Sequence, residues 1–340
     1  MKLSDFNFNL PAERIARFPA DHRDESKLMV VNRENGEISH FQFSAFPKLL
    51  NADDFLVMNN SRVLPARLLG KIGSKTAELL IVKKLTARRL EVLCQPAAAF
   101  KIGAVFCGRD GLQAEVVGIG KRGRRLLSCN CDYAWVLEQG YAPLPPYIKR
   151  KAQQAEIYRC FDLERYQTVY AKNSGSIAAP TAGLHFTPEI LTRIRRQNPV
   201  LEITLDVGEA TFQKIASENI SEHRMGGEKI IINHDVASRI RELKSRGKKL
   251  LAIGTTTVRS LESYALLKTA DEEFYSTIFI SPGFCFRMVD KLLTNFHLPQ
   301  SSLFILVSAF AGLDLMKKAY ALASELEYRF YSYGDAMLII

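Results

Sequence analysis

The chain is 340 residues long, 47% hydrophobic and 24% charged, with 46 Lys and Arg against 36 Asp and Glu. This composition excludes a disordered or collagen-like chain and leaves room for two or three domains with a sizeable core. The formal charge of +10 favours a polyanionic partner such as RNA, a class signal that does not by itself prove nucleic-acid binding. Six cysteines, at 94, 107, 129, 131, 160 and 285, show no C-x-x-C spacing, and Cys129-Asn130-Cys131 has no histidine near it. They read as reduced thiols, and no metal site is expected. The N-terminus has no apolar signal core, and the longest apolar run, 303–311, falls far short of the roughly 20 residues of a membrane span. A soluble, cytoplasmic protein is expected.

Along the chain, 28–31 and 55–58 are apolar runs of strand length. The second feeds into Asn59-Asn60-Ser61-Arg62-Val63-Leu64-Pro65-Ala66-Arg67. These polar residues sit at a strand end, where α/β proteins bind ligands, although a plain polar turn reads equally well. Arg62 and Arg67 are placed to grip phosphate or carboxylate. From about 66 to 132 the texture changes to short β runs, at 77–82, 90–93, 104–107, 114–117 and 125–128, separated by turns such as Arg109-Asp110-Gly111. A small β-barrel or sandwich follows. Lys121-Arg122-Gly123-Arg124-Arg125 reads as a basic hairpin tip, either solvated or on a phosphate. A short helix is expected over 133–140. The proline-rich 141–148 then returns to the large domain, and Lys149-Arg150-Lys151 adds basic charge at that junction.

The chain's centre is Ser176-Ile177-Ala178-Ala179-Pro180-Thr181-Ala182-Gly183-Leu184-His185-Phe186, too poor in large apolar side chains for a core strand and too broken for a helix. Gly183 suits a positive φ, and small neighbours let a ligand approach the backbone. Thr187 and Pro188 then open a helix to about 196. Strands over 200–207, 229–233, 250–253, 274–280 and 336–340 alternate with helices, one capped by Asp235 and stopped by Gly247, another covering 314–329. The pattern indicates an α/β fold with a mostly parallel sheet in a discontinuous domain, 1–65 and 150–340, interrupted by a smaller β-barrel domain at 66–149.

Four strand-end loops are small and polar: 179–186, 208–212, 254–257 and 294–297. In a parallel sheet they converge on one edge. Gly254-Thr255-Thr256-Thr257 before a helix offers hydroxyls and unpaired N–H groups to an anion. His185 and His297 divide evenly between packing and chemistry, whereas His22 and His40 read as structural. Arg259 and Glu262 share one helix face, the pattern of a solvated ion pair. Tyr333 belongs to an aromatic cluster whose rings mostly pack, with one or two free to stack on a base. No serine triad, Walker loop or dinucleotide fingerprint is present.

The central stretch resembles the signature of the S-adenosylmethionine:tRNA ribosyltransferase-isomerase (QueA) family of queuosine biosynthesis. Similar motifs in the same order cover nearly the whole chain, including 55–67, 144–148, 166–170, 254–262, 293–299, 308–312 and 328–337. The resemblance implies an α/β domain with an inserted β-barrel. It implies transfer and isomerisation of the ribosyl group of S-adenosylmethionine onto 7-aminomethyl-7-deazaguanine at the tRNA wobble position, giving epoxyqueuosine, adenine and methionine. S-adenosylmethionine is then a substrate, with no further cofactor, and the partner is tRNA bound by a monomer. His185, His297 and Asp206 become the candidate acid/base groups. The substrate-binding candidates are Asn59, Asn60, Arg62, Arg67, Pro180, Thr181, Ala182, Gly183, Phe186, Gly208, Thr211, Phe212, Gly254, Thr255, Thr256, Arg259, Glu262, Asn295 and Tyr333. Two departures stand out: Asp206 and Gly226 occupy positions where the family usually has histidine. They motivate the alternative of a tRNA-binding relative without catalysis. A methyltransferase ranks lower, because its glycine-rich adenosine loop is missing.

Overall fold

The computed structural model describes residues 1–148, 150, 152–208, 215–269 and 271–340; Lys149, Lys151, Thr211 and Phe212 lie outside the described residues. In chain order the elements begin with β1 (Lys27–Val31), β2 (Ile38–Gln42), β3 (Asp54–Asn59) and β4 (Ser61–Val63). Six strands follow: β5 (Arg67–Ile72), β6 (Lys75–Lys84), β7 (Arg89–Gln95), β8 (Val105–Gly108), β9 (Gln113–Ile119) and β10 (Arg125–Cys129). Next come α1 (Tyr133–Glu138), α2 (Ala152–Ile157), α3 (Arg159–Arg165) and β11 (Asn173–Ser176). The remainder is α4 (Pro188–Arg195), β12 (Val200–Leu205), β13 (Glu228–Ile231), α5 (His234–Ser245), β14 (Lys249–Ile253), α6 (Thr255–Leu267), β15 (Glu273–Ser276), β16 (Lys291–Asn295), α7 (Ser302–Ala311), α8 (Leu313–Glu325) and β17 (Ala336–Ile339). Two compact units result: Met1–Arg62, Thr168–Asn173 and Ala179–Ile340 form one, and Val63–Gln167 with Ser174–Ala178 the other.

The first unit is built on a nine-stranded sheet in the order β15-β13-β12-β3-β14-β16-β17-β1-β2. Its centre, β12-β3-β14-β16, is parallel, as is β17 with β1, and antiparallel pairs lie on both flanks. Every residue of β3 is buried, and so are Leu250 to Ile253 of β14, as befits central parallel strands covered on both faces. Phe43, Phe46, Phe186, Ile190, Leu191 and Ile194 pack on Leu56, Met58, Leu251 and Ile253 as one core. The α4 start follows its sequence: Thr187 Oγ1 accepts the Ile190 N–H at 3.2 Å, with Pro188 in the first position.

Among the boundaries that differ from the sequence reading, three have clear local reasons. The N-cap of α5 is Asn233, so Asp235 lies in the first turn, where its charge suits the helix dipole. Strand β15 ends at Ser276, whose Oγ accepts the Ile278 N–H at 3.2 Å and turns the chain out of the ladder. Helix α8 ends at Glu325, and Glu327 at φ 58° prevents its continuation to 329.

The second unit is a closed, antiparallel six-stranded barrel, β10-β7-β6-β5-β8-β9, filled by Leu68, Leu79, Ile81, Val92, Phe106, Val116 and Leu127 among others. Strand β5 escapes a reading by hydrophobic alternation because Gly70 interrupts it. A Cβ there would overlap the Cys107 carbonyl and the Phe106 ring, so the glycine is a packing requirement. Asp110 and Gly111, at φ 49° and 81°, make the tight β8–β9 turn. Several basic residues of this unit are engaged internally. Arg124 pairs with Glu91 at 3.0 Å, and Arg125 donates to the carbonyls of Phe100, Gly123, Arg124 and Ala97. Arg150 is buried against Asp162 rather than presented as free charge. No described helix is long and apolar enough to cross a membrane.

Candidate active site

Strands β12, β3, β14 and β16 run in the same direction and in register, with Ile203 opposite Asn59, Met58 opposite Ile253, and Ile253 opposite Leu293. Their carboxyl ends therefore deliver Asn59-Asn60, Asp206 to Gly208, Gly254 to Thr256 and Asn295 to His297 to one edge. The central loop joins them. It forms a 3-10 turn over Thr181–His185, Ala182 packs beside Gly254, and His185 Nε2 lies 3.2 Å from Asn295 Nδ2. The convergence expected of the loops 179–186, 254–257 and 294–297 is thus realised within the first unit, while residues 209–212 of the fourth loop lie outside the described residues.

The glycines act differently from one another. Gly254, at φ 91°, makes the turn from β14 into α6. Gly183 has no positive φ, contrary to the sequence expectation, and is required by close approach. A Cβ there would overlap the Tyr170 hydroxyl and lie 2.8 Å from Thr168 Cγ2. Tyr170 and Thr168 thus press on the inner side of the loop, while Pro180, Ala182 and Phe186 bury its ends. Among the described residues, nothing lies within 4 Å of where a Cβ at Gly208 would sit.

Both candidate histidines are buried and neutral. His185 Nδ1 is 2.6 Å from Ser26 Oγ, and Ser26 Oγ donates to the Arg23 carbonyl. Asn295 Nδ2 donates to Nε2, which places the ring proton on Nδ1 and engages both nitrogens. Burial, then the Arg329 and Arg23 charges, push its pKa down to about 3. His297 sits with Phe296 and Tyr320 in the aromatic core; its Nε2 meets Thr294 Oγ1 at 2.9 Å, and its backbone N–H donates to the Tyr320 hydroxyl. Burial lowers its pKa to about 3 as well. Asp206 differs, being half-buried, with burial raising its carboxyl pKa and Lys229 opposing that shift.

Several polar candidates are committed to the fold. Asn59 clamps β3 to β12, donating to the Leu205 carbonyl and accepting from the Leu205 and Ser61 N–H groups. Asn60 bonds Glu202, Thr204 and Asn173. Glu262 forms no solvated pair with Arg259. It is fully buried and accepts the N–H groups of Arg287, Met288 and Val289 at 2.8, 3.0 and 3.0 Å, which pins the turn before β16. Arg259 instead meets buried Glu228 at 2.5 Å. Arg62 is exposed and donates to the Ala171 carbonyl, and Tyr333 is buried. Arg67 lies in the barrel unit, held bidentate by Glu78 at 2.8 and 2.7 Å. Four atoms on the strand-end loops and α6 are buried without a hydrogen-bond partner among the described residues: Asn295 Oδ1, Thr256 Oγ1, Arg259 Nε and Arg259 Nη2. Among the described residues no group of three His, Cys, Asp or Glu side chains could hold a metal.

Residues 3–339 match the model of a family described as Queuosine biosynthesis protein. The chain belongs to that family. Similar queuosine biosynthesis proteins include two enzymes named S-adenosylmethionine:tRNA ribosyltransferase-isomerase. The one from Desulfitobacterium hafniense is 46% identical over 349 residues, and the one from Halothermothrix orenii 45% over 352. Both alignments span 100% of this chain and of the relative. The crystal structure of S-adenosylmethionine tRNA ribosyltransferase from Thermotoga maritima is 33% identical, with a TM-score of 0.56 over 99% of this chain and 100% of that one. An α/β unit with a closed barrel is the architecture expected for a queuosine biosynthesis protein. The sequence reading missed Ser26, Tyr170 and Glu228. Ser26 carries no local signal, and Tyr170 and Glu228, although they lie in family-like motifs, gain their roles only from the tertiary fold, against Gly183 and Arg259.

Proposed function

We propose that this chain transfers and isomerises the ribosyl group of S-adenosylmethionine onto 7-aminomethyl-7-deazaguanine at a tRNA wobble position, releasing adenine and methionine and leaving epoxyqueuosine. The full-length similarity to enzymes named for this activity carries the reading, and the converging loops supply a place for it. The chemistry suits S-adenosylmethionine as a ribosyl donor. Its sulfonium acidifies the 5′ carbon, so a nearby base removes a proton there; adenine takes a proton as it leaves; the aminomethyl nitrogen is the nucleophile. S-adenosylmethionine is consumed, and neither a metal nor a further cofactor takes part.

Among the three acid/base candidates, we assign proton transfer to Asp206, whose carboxyl is half-buried at the strand edge with a raised pKa. His185 and His297, neutral and bonded within the fold, position Asn295 and the 294–297 turn. The small loop of Pro180, Thr181, Ala182 and Gly183, with Gly208, Gly254, Thr255 and Thr256, lines the donor site, and Phe186 supports it. Arg62 and Arg67 serve tRNA, Arg67 only by sharing its charge with Glu78. Tyr333 backs the pocket, and Thr211 and Phe212 stay assigned to substrate on the family resemblance alone. The protein works as a cytoplasmic monomer. The test is the mass of the wobble nucleoside after incubation with S-adenosylmethionine and tRNA carrying the aminomethyl base. A gain matching the epoxycyclopentane group supports the reading; tRNA binding without that gain marks a binding-only relative.

A further inference from the structure

Arg259 is buried to about 5% exposure, yet only one edge of its guanidinium is used. Nη1 meets Glu228 Oε2 at 2.5 Å, while Nε and Nη2 are buried with no hydrogen-bond partner among the described residues. Nε and Nη2 form the side-on fork that binds a carboxylate through two parallel bonds. The chain uses this same fork elsewhere: Arg67 grips Glu78 with it at 2.8 and 2.7 Å, and Arg150 grips Asp162 at 3.2 Å through each nitrogen. At Arg259 the fork is built and desolvated but has nothing to hold, an arrangement that is unfavourable until a ligand completes it.

The location is specific. Helical side chains slant toward the helix N-terminus, so Arg259 overlies Thr255 and Thr256, one turn earlier in α6. Thr256 Oγ1 is also buried without a partner. The first N–H groups of the 13-residue α6 add a positive end. Leu205 faces Ile230 across β12 and β13, and the Asp206 N–H donates to the Lys229 carbonyl. One residue further, the register sets Glu228 opposite Val207, at the carboxyl edge where the strand-end loops gather.

We propose that the Nε/Nη2 fork of Arg259, with the Thr256 hydroxyl beside it, receives the α-carboxylate at the amino-acid end of S-adenosylmethionine. The assignment rests on the reading of the chain as an enzyme that consumes that substrate. Arg259 and Glu228 together are neutral and opposite in sign, which matches the zwitterionic amino-acid head better than a phosphodiester. The burial favours a small carboxylate over the bulkier tRNA backbone. The ribose and adenine then extend away from α6, toward Gly254 and the Pro180–Gly183 loop.

The test compares S-adenosylmethionine with decarboxylated S-adenosylmethionine by calorimetry on the full chain. The wild type is expected to bind the carboxylated ligand about ten- to a hundredfold more tightly, the worth of a charge-assisted pair. Arg259→Lys keeps the charge and removes the fork. It should weaken S-adenosylmethionine by a similar factor and leave the decarboxylated ligand within about twofold. Affinity for tRNA and its salt dependence should not move. Equal binding of the two ligands by the wild type, which needs no variant, overturns the assignment alone. So does an Arg259→Lys effect on tRNA with a salt slope reduced by about one unit, the mark of a phosphate contact. Failure of the wild type to bind either ligand and to release adenine overturns the enzymatic reading, and this assignment with it.

Discussion

Glu262→Gln separates a structural carboxylate from a substrate-binding one. Glu262 Oε1 accepts two backbone N–H groups, from Met288 and Val289, and Oε2 accepts a third from Arg287. A glutamine keeps its oxygen where two donors converge, so its NH₂ group confronts the Arg287 N–H. One charge-assisted bond is lost and a buried donor is left unpaired, for about 2–3 kcal/mol; two further bonds become neutral, for about 0.5–1 kcal/mol each. The expected destabilisation is about 3–5 kcal/mol. Urea unfolding followed by circular dichroism reads it as a lower midpoint at unchanged m-value. The KM for S-adenosylmethionine should change little in the folded fraction. A variant less than about 1 kcal/mol destabilised, with a raised KM instead, would falsify the anchoring role and return Glu262 to the substrate.

Other residues give independent checks. Gly183→Ala drives a methyl group into Tyr170 and should cost about 1–3 kcal/mol; Tyr170→Phe, which removes the overlapped hydroxyl, should recover part of that, and no recovery would refute the contact. His185 and His297 fold at a pKa of about 3 against an ordinary value of 6.5, so the unfolded chain takes up their protons first. Their stabilisation is complete above pH 6.5 and is lost as pH falls from there toward 3. Each adds a slope of up to about 1.4 kcal/mol per pH unit, and His297→Gln should flatten the titration between pH 6.5 and 5. Asp206→Asn should lower kcat by about a hundredfold or more with tRNA affinity intact; near-normal turnover would remove Asp206 from proton transfer.

Much of the architecture was legible because its causes are local. The apolar run at 55–58 could only be a buried strand, Thr187-Pro188 capped a helix, and Asp110-Gly111 made a hairpin turn. The edge where the described strand-end loops meet followed from strand direction alone. What stayed hidden depends on distant partners. The burial of His185 comes from Ser26 and Phe43, more than 140 residues earlier in the chain, so its neutrality is invisible in the local sequence. The spacing of Arg259 and Glu262 looked like a surface pair. In the fold each turns to a different partner, Glu228 or the 287–289 backbone. Gly183 was recognisable as obligatory, but for the wrong reason, because a clash with Tyr170 leaves no trace in the loop itself.

The most direct test of ribosyl transfer is isotopic. S-adenosylmethionine labelled separately in the ribose carbons and in the methyl group is mixed with the protein and tRNA carrying the aminomethyl-deazaguanine, and the products are weighed. Ribosyl transfer predicts ribose label in the wobble nucleoside, methyl label retained in methionine, and one adenine released per modified tRNA. Methyl label in the tRNA with S-adenosylhomocysteine as co-product would contradict it.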